Sequence, residues 1–351
     1  MKKIVRNRLA LTTISAIAVA SLLAGCASST EQATPAETSA APAKVSIALD
    51  YTPNTNHLGV YVAQAKGYFA DENLTVKVLP YGTTPPETLV GKGLSNFAFS
   101  YSNGTAFART AGLDVLQVFA NIAKTQYVLA YRADDASIKS PKDLDGKTYA
   151  GFGSPSEDSE VSTVIKGDGG KGEFKKAILD TAAYDAVYNG KADFTIAATT
   201  VEIVEAAEIG KPLKYFVPED YGYPANYSNN IISSNAYLKK NPDVAKRFLR
   251  AVQKGYKFAQ ENPKEAADIL VAANKSVLKN PAVIEKSAQL LADDGYLKNK
   301  DGKFGVINGE EWAKFGDFLF DNKLLTGKDG KTLTQKPDWS TFYTNDFVPN
   351  N

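Results

Sequence analysis

The sequence predicts an α/β protein of two lobes, each a mostly parallel sheet flanked by helices, with a ligand cleft between the lobes. Three observations carry this expectation. From Lys44 onward, short apolar runs alternate with helix-patterned segments. The same alternation restarts near Tyr127, which suggests a second unit of similar size. The chain beyond the N-terminal segment holds no second cysteine, so an apolar core alone must stabilise it; about 300 residues are enough for that and for two domains.

At the N-terminus, Lys2, Lys3, Arg6 and Arg8 precede an apolar stretch from Leu9 to Ala24 that ends Leu23-Ala24-Gly25-Cys26. A basic start, a short apolar run and small residues at the cut describe a secretory signal peptide over 1–25. The Leu-Ala-Gly-Cys ending resembles a bacterial lipobox, which implies cleavage before Cys26 and lipidation of that cysteine. A transmembrane anchor is the competing reading, but the stretch is short for a span of about 20 residues and no stop-transfer charges follow it. The expected address is therefore extracytoplasmic, lipid-anchored to a bacterial cell membrane. Residues 27–43 read ASSTEQATPAETSAAPA. Small, polar and Pro-containing, they predict a disordered linker over 26–43 with a reach of roughly 20–25 Å.

The elements then follow in order. Val45 to Leu49 alternates as a strand, and a polar loop follows from Asp50 to His57. Leu58, Val60, Tyr61, Ala65, Tyr68 and Phe69 fit a helix ending near Gly67. Leu74–Leu79 reads as a strand closed by Pro80, Glu87–Lys92 as a short helix, and Phe97–Phe99 as a buried strand. Gly104–Ala111 is helical in pattern and Val115–Phe119 is a strand. In the second unit, Ser140–Gly146 is a capped helical turn, and Thr148–Gly151 is a strand running into a Gly-rich loop. Tyr184–Gly190 reads as helix, Ala192–Ala197 as strand and Val201–Glu208 as helix. The last third is mainly helical and is punctuated by Asn241-Pro242, Asn262-Pro263 and Asn280-Pro281, with Asn as N-cap and Pro at the first helical position. Val244, Phe248, Val252 and Tyr256 fall four apart and form a core stripe; Trp312, Phe315, Phe318 and Leu319 form another. This places lobe 1 at 44–126 plus 232–351 and lobe 2 at 127–231.

Composition excludes several classes. Residues 1–25 carry four of the basic residues and no acidic one, so the chain from Cys26 onward has formal net charge −3. Such a near-balanced chain is not built for nucleic acid. With one histidine, His57, and one cysteine already committed to lipid, no His/Cys zinc site can be assembled. A Ser-His-Asp or Cys-His centre could use only His57. The run Gly167-Asp168-Gly169-Gly170-Lys171-Gly172 lacks the upstream Gly and the following Ser/Thr of a P-loop. No calcium-loop spacing is present. No metal and no cofactor is expected.

The loop Asp50-Tyr51-Thr52-Pro53-Asn54-Thr55-Asn56-His57, with Gly59-Val60-Tyr61-Val62-Ala63 and Lys66-Gly67-Tyr68-Phe69, closely resembles one family. These are the solute-binding lipoproteins of ABC importers for pyrimidine precursors of thiamine, of the hydroxymethylpyrimidine or formylaminopyrimidine type. The likeness continues through Leu89–Gly93, Ser140–Gly146, Asn189–Phe194, Asp220–Pro224 and Leu238–Pro242, and so spans about Lys44 to Asn280. It implies a type II periplasmic-binding-protein fold whose lobes close on a ligand about a hinge, and a closed form that docks on a membrane permease. Receptors of the broader group also take riboflavin, sulfonates, nitrate or other small aromatics. Two departures stand out. Family members often carry Trp-Glu where this chain reads Val201-Glu202. Related fungal enzymes that consume their own histidine carry a Cys-rich run absent here, and Asn103 or its neighbour stands near the place of their donor histidine. A binding role rather than an enzymatic one is therefore expected, for a monomer.

The candidate ligand residues are Asp50, Tyr51, Asn54, Asn56 and His57 in the first loop, then Tyr81, Ser100 and Tyr101. Ser154, Glu157, Thr199, Glu202, Tyr221, Tyr223 and Asn226 follow from later loops. Tyr rings can sandwich a flat heterocycle, and Asn, Ser and Thr offer both donors and acceptors. The only arginines beyond residue 25 (Arg109, Arg132, Arg247 and Arg250) lie outside these loops. Asp50, Glu157 and Glu202 instead offer acceptors to an amino group. A neutral or weakly cationic amino-heterocycle is the expected ligand, with a flavin or an anion as alternative cargo. Structural roles remain open for several of these side chains: Asp50 as a turn cap, Asn54 and Asn56 as loop braces, and His57 as a satisfied helix-start histidine. Tyr221–Tyr227 can equally be an interlobe hinge, and Glu202 a first-turn acid.

Overall fold

A computed structural model describes residues 41–349. Residues 1–40, which hold the expected signal peptide, Cys26 and most of the expected linker, lie outside the described residues. Ala43, assigned to the linker from sequence, already belongs to the fold: its N–H reaches Asn73 O at 3.0 Å and it pairs with Leu74. β1 (Ala43–Ala48) therefore begins earlier than its apolar alternation, because backbone pairing needs no apolar side chain.

Lobe 1 is built on β1, β2 (Leu74–Leu79), β3 (Phe97–Ser100) and β4 (Leu116–Ile122). Lobe 2 is built on β5 (Tyr127–Arg132), β6 (Thr148–Gly151), β7 (Lys175–Ile178), β8 (Phe194–Ala198) and β9 (Leu213–Phe216). The chain then returns to lobe 1 as β10 (Asn229–Ser233), which inserts between β3 and β4. The strand orders are β2-β1-β3-β10-β4 and β7-β6-β8-β5-β9. They are the same order once β10 and β5 are recognised as the inserted strands. Only those two run against their neighbours, so the other strands of each sheet point one way. The return into lobe 1 begins at Asn229, three residues before the 231/232 boundary suggested by sequence, since Asn229 already pairs with Ile122.

The helices cover both sheets. In lobe 1 these are α1 (Leu58–Ala65), α2 (Tyr68–Asp71), α3 (Pro86–Gly91) and α4 (Ser102–Thr110). Lobe 2 adds α5 (Glu157–Gly167), α6 (Ala183–Tyr188) and α7 (Glu202–Glu208). The C-terminal part supplies α8 (Asn235–Lys240), α9 (Pro242–Glu261), α10 (Pro263–Ala273), α11 (Pro281–Asp293) and α12 (Gly309–Asp321). Among the described residues no helix is long and apolar enough to cross a membrane.

Pro242, Pro263 and Pro281 each open a helix as expected, but the asparagines before them do not cap it with their side chains. Asn241 and Asn262 donate backward instead, to Tyr237 O at 3.2 Å and Phe258 O at 3.3 Å. They close the preceding helix by adding a second hydrogen bond to carbonyls that already accept the Asn241 and Asn262 N–H groups. The core stripe of α9 is buried at Phe248, Val252 and Tyr256, while Val244 packs at its margin. Trp312, Phe315 and Leu319 of α12 join a second cluster with Trp339 and Phe342.

Two short crossings link the lobes, and they are tied to each other. Thr125 Oγ1 accepts from Asn226 N at 3.1 Å, and Gln126 N donates to Ser228 Oγ at 2.8 Å. Away from the cleft, Ser287 of α11 donates to Thr200 O, and Lys286 pairs with Glu208 of α7.

Candidate functional site

In open α/β sheets, ligands collect beyond the carboxyl ends of the strands. Here β1, β3, β6 and β8 end facing a cleft of about 460 Å³ that is lined from both lobes. Lobe 1 contributes Asp50, Tyr51, Asn54, Asn56, Tyr81, Tyr101, Asn103 and Phe107. Lobe 2 contributes Tyr127, Phe152–Glu157, Glu160, Asp180, Tyr184, Ile196, Ala198, Val201 and Glu202, with Tyr223 and Asn226 at the crossing.

The first loop is held by a chain of hydrogen bonds. Asn54 N donates to His57 Nδ1 at 3.2 Å, which leaves the ring proton on Nε2, facing Asp50 Oδ1 at 2.8 Å. The other Asp50 oxygen accepts from Asn229 Nδ2 at 2.6 Å. Asn121 Nδ2 reaches Asn229 Oδ1 at 2.7 Å and Asn56 O at 3.0 Å, and Tyr256 OH also donates to Asn56 O at 2.6 Å. Asp50 is thus both a cleft residue and the brace of its loop. Asn54 braces it too, accepting from Asn56 N at 2.9 Å. In contrast, Asn56 Oδ1 is buried with no hydrogen-bond partner among the described residues.

Asp50→Asn should lower stability by about 2–3 kcal/mol. An amide has one acceptor oxygen, so its NH₂ must face either the His57 Nε2–H or the Asn229 amide donor, leaving a buried donor unpaired. Thermal and denaturant unfolding of the variant would check this; wild-type stability would show that the brace carries no weight.

Four expected ligand residues do not line the cleft. His57 is fully buried behind Asp50, and its ring meets that of Phe99 edge-to-face with 4.5 Å between centroids. Ser100 points into lobe 1 and donates to Glu87. Thr199 hydrogen-bonds Tyr296 OH at 2.9 Å, across the back of the lobes. Tyr221 sits in a 3-10 turn (Pro218–Tyr221), where its ring meets Phe216 edge-on. Of the carboxylates, Glu157 is already engaged: it accepts Phe152 N at 3.0 Å, Tyr149 OH at 3.1 Å and Ser154 N at 2.7 Å.

Several lining residues were not anticipated. Tyr127, Phe152 and Tyr184 are not among the expected ligand residues. Their signal is positional, since Tyr127 opens β5 and Phe152 directly follows β6, both at the cleft end of the sheet. Two ring pairs result, one from each lobe. Tyr51 and Tyr81 lie 5.6 Å apart, and Phe152 and Tyr184 lie 5.5 Å apart, between centroids. Asn103 at the start of α4 donates to Ser156 Oγ at 2.7 Å, joining the lobes directly across the cleft.

The lining is acidic and holds no lysine or arginine. Burial pushes the Glu202 carboxyl up to about 7, against a backbone hydrogen bond from Ala198 N at 2.8 Å that favours the anion. Burial likewise raises Glu160 to about 8, opposed by a hydrogen bond with Tyr223. Both carboxyls sit in the cleft and change charge near neutrality. Among the described residues no group of three or more His, Cys, Asp or Glu side chains is placed to hold a metal ion.

Two sheets of matching strand order, exchanging one strand each and closing on a shared cleft, define a two-lobed periplasmic-binding-protein fold. The solved aliphatic sulphonate-binding protein SsuA of Escherichia coli superimposes with a TM-score of 0.64 at 15% identity, covering 86% of this chain and 92% of that one. The family model described as NMT1/THI5 like matches residues 54–266, and the chain belongs to that family. The formylaminopyrimidine-binding protein of Halalkalibacterium halodurans is 30% identical over 284 residues, 78% of this chain and 84% of that protein. The riboflavin-binding protein RibY of Chloroflexus aurantiacus is 24% identical, over 93% of this chain and 95% of that one. A Saccharomyces cerevisiae protein named 4-amino-5-hydroxymethyl-2-methylpyrimidine phosphate synthase is 23% identical, over 87% of this chain and 88% of that one.

Proposed function

We propose that this protein is a lipid-anchored, extracytoplasmic receptor of an ABC importer that captures a small amino-pyrimidine precursor of thiamine and delivers it to a membrane permease. It acts as a monomer, without a cofactor, and releases its ligand unchanged. The observation that carries the cargo is the cleft lining: aromatic rings from both lobes, buried carboxyls and no cation. Rings stack on a flat heterocycle, and Glu202 accepts from an exocyclic amine. Asn56 Oδ1, buried and unpartnered, supplies a further acceptor. A sulfonate or nitrate would instead call for Arg, Lys or unoccupied backbone donors. Tethering through Cys26 by the 26–43 linker keeps the receptor near its permease.

Riboflavin is the second reading. Val201 lines the cleft where related sequences carry Trp, which leaves room for a wider ring system.

Native mass spectrometry of the mature protein, purified without added ligand and then denatured to release what it holds, separates these readings. A released amino-pyrimidine mass supports the proposal. A flavin mass keeps the receptor role and overturns the cargo. Chemical conversion of added pyrimidine would overturn the non-enzymatic role.

A further inference from the structure

Residues 151–156 join the end of β6 to the first turn of α5. A strand, a glycine-containing loop and a helix N-terminus in that order form a general anion cradle, in which backbone N–H groups and the helix dipole converge on a phosphate or sulfonate. Here the cradle is filled from within. Glu157 holds the N–H groups of Phe152 and Ser154 and the hydroxyl of Tyr149 at 2.7–3.1 Å. The carboxylate sits so close that a Cβ added at Gly151 would lie 2.4 Å from its Oε2. Asp158 and Glu160 add two further carboxyls in the same first turn.

We propose that Glu157 is a specificity-determining residue: its carboxylate occupies the donors that would bind an anion, and the receptor therefore rejects phosphate esters of its ligand. The inference rests on the reading of this cleft as the solute site. A phosphate group at this loop would have to displace Glu157 from three donors. It would also share a cleft with Asp50 and Asp180, with Glu202 and Glu160 at the pH where they ionise, and with no cation. Like charges in one partly desolvated site repel strongly, so exclusion comes from the repulsive element as much as from the occupied donors.

The test uses the mature protein and two variants, Glu157→Ser, which empties the cradle, and Glu157→Gln, which removes the charge at nearly constant size. Circular dichroism establishes which variants are folded. The probes are 4-amino-5-hydroxymethyl-2-methylpyrimidine, its phosphate ester, and inorganic phosphate. Wild type should bind the alcohol roughly 100-fold more tightly than the ester and gain no thermal stability from phosphate. A folded variant should narrow that ratio about tenfold or more and be stabilised by phosphate. Equal binding of ester and alcohol by wild type overturns the proposal, as do folded variants that neither narrow the ratio nor respond to phosphate. If wild type binds neither pyrimidine, the cargo reading fails separately. The phosphate comparison then decides: stabilisation of a variant but not of wild type supports the role of Glu157, and equal response overturns it.

Discussion

Gly255→Ala should unfold or nearly unfold this protein. A Cβ at position 255 would lie 2.0 Å from Gly59 O, a backbone atom that cannot rotate away. The approach is mutual, because a Cβ at Gly59 would lie 2.2 Å from the Tyr256 ring. Glycine inside a 20-residue helix such as α9 costs about 1 kcal/mol against alanine. The contact between α1 and α9 recovers more than that by letting two backbones meet. Overpacking against a side chain costs about 1–3 kcal/mol, and against a fixed carbonyl at least about 4 kcal/mol, which approaches the whole stability of an ordinary domain. Function is lost with it, since α1 follows the Asp50–His57 loop and Tyr256 donates to Asn56 O. Denaturant unfolding checks the prediction, with Gly82→Ala as the control. A Cβ there meets nothing within 4 Å, so it should shift stability by no more than about 0.5 kcal/mol. A Gly255→Ala protein with wild-type stability would mean that the two helices can separate at no cost.

The second large effect is a pair of opposed pH dependences. Glu202 and Glu160 have folded-state values of about 7 and about 8, raised from 4.5 by burial. The folded state therefore holds protons that the unfolded chain has released. The stability these groups contribute is complete below about 4.5 and is lost as pH rises through 7 for Glu202 and 8 for Glu160. The ligand-free protein should lose a few kcal/mol across that window. Ligand binding should run the other way. A donating amine prefers the Glu202 anion, so affinity should climb by up to about tenfold per unit below pH 7 and level off above it. Glu202→Gln should remove this slope and weaken binding about 10- to 100-fold, while Glu160→Gln flattens only the stability profile. Calorimetric titration of ligand and thermal unfolding of the ligand-free protein, in steps from roughly pH 5.5 to 8.5, read the two effects. A Glu202→Gln protein that keeps wild-type affinity and slope would place the ligand amine elsewhere.

How far the chain could be read depended on whether each signal was local. Strands β1, β2, β3 and β8 carry apolar runs of their own, and the Asn-Pro pairs mark three helix starts. β7, an edge strand reading Lys175-Lys176-Ala177-Ile178, and β10, which opens on two asparagines, do not resemble strands. Their pairing comes from partners far along the chain. α5 was missed for a related reason: its N-terminal half is acidic and polar, and only Val161, Val164 and Ile165 face the core.

The site divides along the same line. Sequence placed the Asp50–Asn56 loop, Tyr101, Ser154, Glu157 and Glu202 near one another, because residues that follow strand ends meet at one edge of a sheet. It could not say which way neighbouring side chains turn. Tyr101 faces the cleft while Ser100 beside it turns inward to Glu87, since alternate residues at a strand end point to opposite faces. Nor could it say which polar groups are already engaged. His57 and Glu157 look like ligand contacts until their partners, Asp50 and the Phe152 and Ser154 amides, come into place. Sequence alone determined the two-lobed α/β class, the family, and the shortage of basic residues in the candidate loops, because these rest on composition, local periodicity and motif. Tertiary structure alone decided which rings pair on each side of the cleft, which carboxyls are already engaged and where their charge changes. Those properties depend on side-chain direction, occupied donors and burial, which exist only once distant segments have met.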